Sequence, residues 1–75
     1  MRRIGTVVRT TQGLAVLRAE TDGPDDMGTT VLDDSLEEVG RVVDVFGPAD
    51  EPYLAVSPSS DVHLPSLVGT TLYAR

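Results

Sequence analysis

The segment from Gly40 to Val56, which reads GRVVDVFGPADEPYLAV, constrains the fold more than any other part of the chain. Two strand-like runs flank a short turn with a proline near each end, Pro48 and Pro52. Each proline fixes its φ angle, removes a backbone donor and pushes the preceding residue toward extended geometry. The sequence therefore predicts a stiff turn between two strands.

Strand-like runs separated by turn formers recur along the whole chain, which indicates an all-β protein. A closed barrel is favoured over a sandwich, because six strands in 75 residues would otherwise leave exposed edges. We predict one domain over residues 1–75, a small six-stranded antiparallel barrel with little or no helix. Aromatic residues make up only 4% of the chain, so Val, Leu and Ala must fill its core. The predicted strands lie within residues 4–10, 11–19, 29–33, 40–47, 52–57 and 69–75.

The connections between these strands are mostly polar. Two loops, at about residues 21–28 and 58–66, have little to bury and are expected to be mobile. Only Asp33 to Val39 could form a single helical turn, with Asp34 or Ser35 as its cap.

The strand that begins at Gly40 does not alternate cleanly between apolar and polar residues. Val43 and Val45 share one parity with Arg41, whereas Val42 shares the other with Asp44. Such mixing predicts either a strand buried on both sides for part of its length or a bulge at a barrel corner.

The charge composition narrows the class of partner. Twelve acidic residues face six basic ones, all arginine, for a net charge of −6. An acidic chain without lysine is typical of a salt-adapted proteome, because at molar salt the Debye length falls to roughly 3 Å and carboxylates repel each other little. The alternative is an ordinary acidic domain from a mesophile.

The arginines are scattered, whereas binding a phosphate backbone needs clustered cations, so primary nucleic-acid binding is disfavoured.

The cysteine content and the apolar runs of the chain also indicate its cellular compartment. There are no cysteines, which excludes disulfides and thiolate metal sites. The first residues, MRRIG, lack the apolar region of a signal peptide, and no apolar run approaches membrane-spanning length. We therefore expect a soluble, cytoplasmic protein that does not associate with a membrane.

No pattern in the chain indicates catalysis, a cofactor or a metal ion. His63 is the only histidine, lies in a polar loop and is expected to be solvated. The serines have no positioned base, and the glycines do not form a phosphate cradle. The adjacent acidic pairs lie in predicted turns, where solvated surface charge is the default, although a weak cation site there stays open. These pairs are Asp25 and Asp26, Asp33 and Asp34, and Glu37 and Glu38.

Two of the three aromatic residues, Phe46 and Tyr53, flank the proline turn. Scarce aromatics beside a rigid exposed loop can anchor a partner. They could equally be ordinary core aromatics beside a hairpin turn. The residues alone leave both alternatives open.

The same segment closely resembles the core domain of the GAR-family subunit of box H/ACA ribonucleoproteins. That family shows a Gly–x–Val–x–Asp–hydrophobic–Phe–Gly–Pro run, then a short spacer, Pro-Tyr and an aliphatic pair. The matching positions are Gly40, Val42, Asp44, Val45, Phe46, Gly47, Pro48, Pro52, Tyr53 and Val56, and in the closing run LVGTTLYAR they are Gly69, Leu72 and Tyr73. The match covers roughly residues 29–75 well.

The resemblance implies a barrel related to the elongation-factor and reductase barrels, and a non-catalytic role in RNA-guided pseudouridylation. Members bind the catalytic domain of the pseudouridine synthase subunit and bias its substrate-holding loop, which aids RNA loading and product release. Guide and substrate RNA would be contacted only indirectly, and the isolated domain is expected to be a monomer. The glycine–arginine-rich tails of eukaryotic members are not in this sequence, which implies an archaeal form.

On this basis we expect an apolar patch around the proline turn to dock on the synthase. The expected partner-binding residues are Asp44, Phe46, Gly47, Pro48, Pro52 and Tyr53. Three alternatives stay open: an assembly factor with the same core domain, a PRC-barrel ribosome-maturation module that binds a ribosomal protein, and an independent RNA-binding barrel.

Overall fold

A computed structural model describes residues 2–20 and 27–74 of the chain. Hydrogen-bonded β-strands account for most of these residues. The strands are β1 (Arg2–Thr11), β2 (Leu14–Ala19), β3 (Thr30–Leu32), β4 (Glu38–Phe46), β5 (Tyr53–Pro58) and β6 (Thr71–Ala74), and a short 3-10 helix (Leu64–Leu67) precedes β6.

The six strands close into a barrel in the order β1-β2-β5-β4-β3-β6, with β6 returning to β1. Every neighbouring pair is antiparallel. The predicted fold class, an all-β six-stranded antiparallel barrel, is confirmed. In the described part of the chain, no helix is long and apolar enough to cross a membrane.

The interior of the barrel is aliphatic, as the scarcity of aromatic residues predicted. Its fully buried side chains come from every strand, and Leu67 of the 3-10 helix packs against them. Burial of each such side chain contributes about 1.5–3 kcal/mol. The largest are Ile4, Leu17, Leu54, Leu72, Val7, Val31, Val42 and Val56.

The helical turn that residues 33–39 could have formed is not present, because the chain makes a tight β-turn at residues 33–37 and β4 begins at Glu38. The Asp33 carboxylate Oδ1 accepts hydrogen bonds from the N–H groups of Ser35 (2.9 Å) and Glu37 (3.0 Å). Leu36 adopts a positive φ of 67°, which right-handed helix forbids. The side chain of Asp33 thus competes for the donors that a helix would have used.

The second predicted loop, residues 58–66, is not wholly irregular. The 3-10 helix begins within it at Leu64, and its Leu67 is buried, while Val62 and Leu64 pack against the core. The sequence signal was the i, i+3 spacing of Leu64 and Leu67, which places these two residues on one side of a 3-10 turn. In the first predicted loop, residues 21–26 and the pair Asp25–Asp26 lie outside the described residues.

Of the two alternatives that the sequence left open for β4, the structure shows the bulge. Val42 lies opposite Val56, but the next paired residue is Asp44, opposite Ala55, so Val43 is the extra residue. Two more register shifts occur in β1, between Arg3 and Gly5 and at Val8, and another between β3 and β4. Such bulges increase local twist and help a small sheet to close.

Gly40 permits β4 and β5 to approach closely. A Cβ atom at this position would overlap the carbonyl oxygen of Ser57 and lie 2.9 Å from Cα of Pro58. Both obstacles are backbone atoms, so a side-chain rotation cannot relieve the overlap.

We therefore expect Gly40→Ala to lower the free energy of unfolding by about 1–3 kcal/mol, the range for overpacking. Urea unfolding followed by circular dichroism measures this difference. The exposed Ser60→Ala variant serves as the control and is expected to stay within about 0.5 kcal/mol of wild type. Wild-type stability of Gly40→Ala would contradict the close approach of β4 and β5.

Candidate functional site

The proline turn between β4 and β5 is held by backbone hydrogen bonds at both ends. The Glu51 N–H donates to the carbonyl of Pro48 (3.1 Å), which closes the turn. The Ala19 N–H donates to the carbonyl of Pro52 (3.0 Å), which ties the end of the turn to β2. Pro48 is exposed and Pro52 is half-buried. The turn is thus a preorganised projection at one end of the barrel.

Phe46 and Tyr53 form a stacked pair at the base of this turn. They are cross-strand partners, with ring centroids 5.7 Å apart and ring planes 23° apart. The neighbouring pair, Val45 and Leu54, points inward instead. Phe46 is 37% exposed, Tyr53 is half-buried, and neither belongs to the buried core cluster. The interpretation of both as core aromatics is therefore wrong.

Gly47 accommodates this pair because a side chain at position 47 would crowd the Tyr53 ring. Its φ is +91°, a region that L side chains rarely adopt. A Cβ atom here would lie 2.9 Å from Cδ2 of Tyr53. The tyrosine ring therefore rests on the glycine backbone, which fixes where the aromatic pair projects.

Asp44 lies one row away from the turn rather than within it. Its carboxylate accepts a hydrogen bond from the Val45 N–H (2.8 Å), beside the bulge. The structure thus brings five of the six predicted residues together at the turn and places Asp44 on the adjoining sheet surface. Partner binding by all six stays a prediction.

A row of small apolar residues crosses the outer surface of the barrel, and sequence reasoning missed it. Val16 of β2 lies opposite Ala55 of β5, and both point away from the core cluster. Bulged valines flank them, Val8 in β1 and Val43 in β4. We call Val8, Val16, Ala55 and Val43 the apolar row. The doubled valines at 7–8 and 42–43, which break the strand alternation, were the available signal.

The apolar row is well packed at its centre and exposed at its ends. Val16 and Ala55 are 3% and 4% exposed, although they lie on the outside of the barrel. Val8 and Val43 are 42% and 43% exposed. The aromatic pair lies in the next row of the same face, since Tyr53 and Ala55 are two residues apart on one strand.

Charged groups are segregated on the described surface. The arginines of residues 2–20 and 27–74 all lie in strands, whereas the acidic residues, apart from Glu38 and Asp44, lie in the connections. Arg18 lies opposite Tyr53 and makes an exposed contact with Glu51 (Nε to Oε1, 3.7 Å). Such a surface pair contributes little stability. Arg18 does give the aromatic pair a basic neighbour, which was not expected from the sequence.

The remaining polar features do not assemble a catalytic or metal site among the described residues. No group of three or more His, Asp or Glu side chains is placed to hold a metal ion within residues 2–20 and 27–74. His63 is exposed at the start of the 3-10 helix. A shallow groove of about 300 Å³ lies beside Val43, between β4 and β5, and Arg41, Ser57 and Pro58 help to line it.

The whole chain, residues 1–75, matches the family model described as the Gar1/Naf1 RNA binding region. The chain belongs to the Gar1/Naf1 family. The resemblance inferred from the Gly40–Val56 motif is confirmed at the level of the family. The description of the Gar1/Naf1 model names RNA binding and no enzymatic activity.

One curated protein and one solved structure are also similar to this chain. An uncharacterized protein of Methanothermobacter thermautotrophicus is 33% identical over 58 residues, which are 73% of this chain. The match spans 63% of that relative's length, less than two thirds. A solved structure described as the Gar1 domain of NAf1 has a TM-score of 0.74 and 14% identity, and the match covers 99% of this chain and 85% of that one. This second likeness shows the fold alone.

The stacking of Phe46 on Tyr53 can be measured by a double-mutant cycle. We expect Phe46→Ala and Tyr53→Ala to be coupled by about 0.5–1.5 kcal/mol of unfolding free energy. Phe46→Ala alone should cost less than Leu54→Ala, which removes a fully buried side chain and should cost about 2–5 kcal/mol.

A matched control for this cycle pairs Phe46→Ala with Tyr73→Ala. Tyr73 lies in β6, which does not neighbour β4 in the barrel, so these two effects should add. Additivity of the Phe46 and Tyr53 effects as well would contradict the stacked geometry.

Proposed function

We propose that this protein is a non-catalytic subunit of the box H/ACA RNA-guided pseudouridylation complex and an archaeal member of the Gar1/Naf1 family. It docks on the catalytic domain of the pseudouridine synthase and aids substrate RNA loading and product release. Family membership supports the ribonucleoprotein setting, and it does not favour the PRC-barrel ribosome-maturation alternative. The relative from Methanothermobacter thermautotrophicus is compatible with an archaeal assignment.

The observation that carries the proposal is the aromatic pair held outside the core on a preorganised turn. Exposed aromatics are the residues that most often dominate protein interfaces. The prolines and the backbone bonds to Pro48 and Pro52 reduce the entropy lost when a partner binds. The turn therefore offers apolar area at low ordering cost, which suits a protein partner.

Charge supports a protein partner over a nucleic acid as the principal contact. The connection that forms the turn carries Asp50 and Glu51, both exposed. Arg18, the basic neighbour of the aromatic pair, already contacts Glu51. A phosphate backbone approaching the turn would meet these carboxylates, whereas an apolar protein surface would cover the rings between them.

The test is the affinity of the purified synthase subunit from the same organism for the wild-type chain and for Phe46→Ala and Tyr53→Ala variants. We expect each substitution to weaken binding by at least about tenfold, equivalent to about 1.4 kcal/mol. The control is Leu36→Ala, which removes an exposed apolar side chain (60% exposed) from the β3–β4 turn and should not change the affinity.

The salt dependence of the affinity separates protein docking from direct RNA binding. Affinity for the synthase should fall only modestly with ionic strength, through the few charges beside an apolar contact, whereas affinity for RNA falls steeply as salt rises. Unaltered synthase binding by both folded aromatic variants would show that the interface lies elsewhere. Tight, steeply salt-dependent binding to guide RNA alone would replace the docking proposal with the RNA-binding alternative.

We also propose that the protein is salt-adapted, which the net charge of −6 and the absence of lysine support. Raising KCl from about 0.1 to about 1 M shortens the Debye length from about 10 to about 3 Å. Because repulsion among the exposed acidic connections is then screened, the thermal midpoint should rise over this range. Differential scanning fluorimetry or calorimetry measures the shift.

The matched control is a variant with fewer acidic groups in the β3–β4 turn, Asp34→Asn/Glu37→Gln. It leaves Asp33, which bonds the turn, in place. Its midpoint should respond less to KCl than that of wild type. A wild-type midpoint that does not respond to KCl would overturn the salt-adapted assignment.

A further inference from the structure

We propose that the docking surface extends beyond the proline turn, across the apolar row, over the outer face of β1, β2, β5 and β4. The inference rests on the proposed function, because the occupant is the synthase subunit. On this face the synthase presents an apolar surface, with an acidic side chain over Arg9 and a basic side chain over Asp44.

The area that a specific interface requires is the first argument. Stable protein interfaces bury roughly 800 Å² on each partner. The described surface of this protein totals 4442 Å², so such a contact would cover nearly a fifth of it. A turn with two prolines and two partly exposed rings is too small to supply that area. The partner must therefore cover a whole face that is continuous with the turn.

The strand register selects which face this is. Phe46 and Tyr53 are paired on β4 and β5, and the row beside them on the same side of the sheet contains Ala55 and Val16. The strands are about 4.8 Å apart, so the apolar row spans roughly 15 Å from β1 to β4. The aromatic pair and the exposed ends of the apolar row, Val8 and Val43, thus lie on one face of four strands, with Val16 and Ala55 almost fully buried between them.

The two bulges make this surface unusual. At each end of the row the bulge places two residues, a valine and a charged residue, opposite one residue of the neighbouring strand. In β1 these are Val8 and Arg9, opposite Val16, and in β4 they are Val43 and Asp44, opposite Ala55. A regular strand would carry one outward residue at each place. The bulges therefore add exposed valine without removing the flanking charge.

Exposure points to the same face. Of the large hydrophobic residues that are exposed in the described chain, three lie on this sheet surface, namely Val8, Val43 and Phe46. The others, Met27, Leu36 and Val68, lie in separate connections. The centre of the row is tightly packed, so the surface is firm rather than adaptable, which lowers the cost of binding.

The charges at the ends of the row define the partner's chemistry. Within residues 2–20 and 27–74, Arg9 makes no ion pair, and Asp44 bonds only the Val45 N–H beside it. Arg9 on β1 and Asp44 on β4 favour a partner with an anion and a cation over them, and the exposed Arg41, opposite Ser57 in the next row of β4, adds a second cation on that side. Like charges placed over these groups would be repelled, so they restrict the orientation of docking.

The test uses the full chain and the purified synthase subunit from the same organism. The double variant Val8→Gln/Val43→Gln removes the exposed apolar ends of the row and leaves the net charge unchanged. We expect its Kd to be at least about tenfold weaker than that of wild type. The control is Leu36→Gln, which is similarly exposed but lies in the β3–β4 turn, and its Kd should stay within about twofold.

Charge reversal tests the orientation separately. Arg9→Glu and Asp44→Arg should each weaken binding by about three- to tenfold at low salt, and less at high salt. Thermal midpoints near that of wild type establish that each variant is folded, since all four positions are exposed.

The outcomes separate this inference from the proposed function. If wild type does not bind the synthase, the proposed function fails and this inference fails with it. If wild type binds and Val8→Gln/Val43→Gln binds equally well, only the extended surface is overturned.

The row is also self-complementary, because a two-fold axis would bring Arg9 of one copy onto Asp44 of another. Light scattering that shows a wild-type dimer, and a monomer for the double variant, would therefore assign the face to a second copy and overturn the synthase as occupant. If the variant Val8→Gln/Val43→Gln loses RNA binding but still binds the synthase, the extended face binds RNA, and the synthase is overturned as its occupant.

Discussion

Closure of the sheet by β6 is the interaction on which the rest of the structure depends. This strand has four residues, and it pairs with β1 on one side and β3 on the other. Without it the remaining strands would form an open sheet with two unpaired edges, which invites aggregation. Two backbone hydrogen bonds to Val7 fix the turn before β6. The Gly69 N–H donates to the Val7 carbonyl, and the Val7 N–H donates to the Thr70 carbonyl. Closing the barrel therefore requires β6 to pair with both β1 and β3.

Closure also determines which side chains can be inside. A barrel of this size has room for aliphatic side chains, and Ile4, Leu17, Leu54 and Leu72 meet there with almost no exposure. Phe46 and Tyr53 follow the inward pair Val45 and Leu54 on β4 and β5, so their apolar area is presented on the outside. The same strands that build the core thus expose the candidate docking surface on their other face. The core and the candidate docking surface thus use alternate residues of the same strands.

The sequence predicted the barrel well because its signals were local. Turn formers, alternating strands and the prolines at 48 and 52 depend on near neighbours. The broken alternation after Gly40 indicated either a strand buried on both sides or a bulge, and only the strand register places a bulge at Val43. The sequence predicted the turn at 33–37 poorly, since a carboxylate that bonds two backbone donors looks the same in sequence as a helix cap.

The candidate surface was only half predictable. Five of its residues are adjacent in sequence around the turn, so the pattern located them. The apolar row joins β1, β2, β5 and β4, and its members meet only through the barrel order and the register. Val16 and Ala55 resemble ordinary core residues in the sequence, and nothing local shows that they point outward. Pairing between strands distant in sequence supplies that information.

The glycines of β4 and of the turn that follows it differ in how substitution could be tolerated over evolutionary time. At position 40 the obstacle is the backbone of β5, so no second substitution can make room for a side chain. At position 47 the obstacle is the ring of Tyr53, which a smaller residue would remove. Positions 47 and 53 are therefore constrained as a pair. Lineages that lose the tyrosine lose one of the two reasons for the glycine, and the backbone φ of +91° remains as the other.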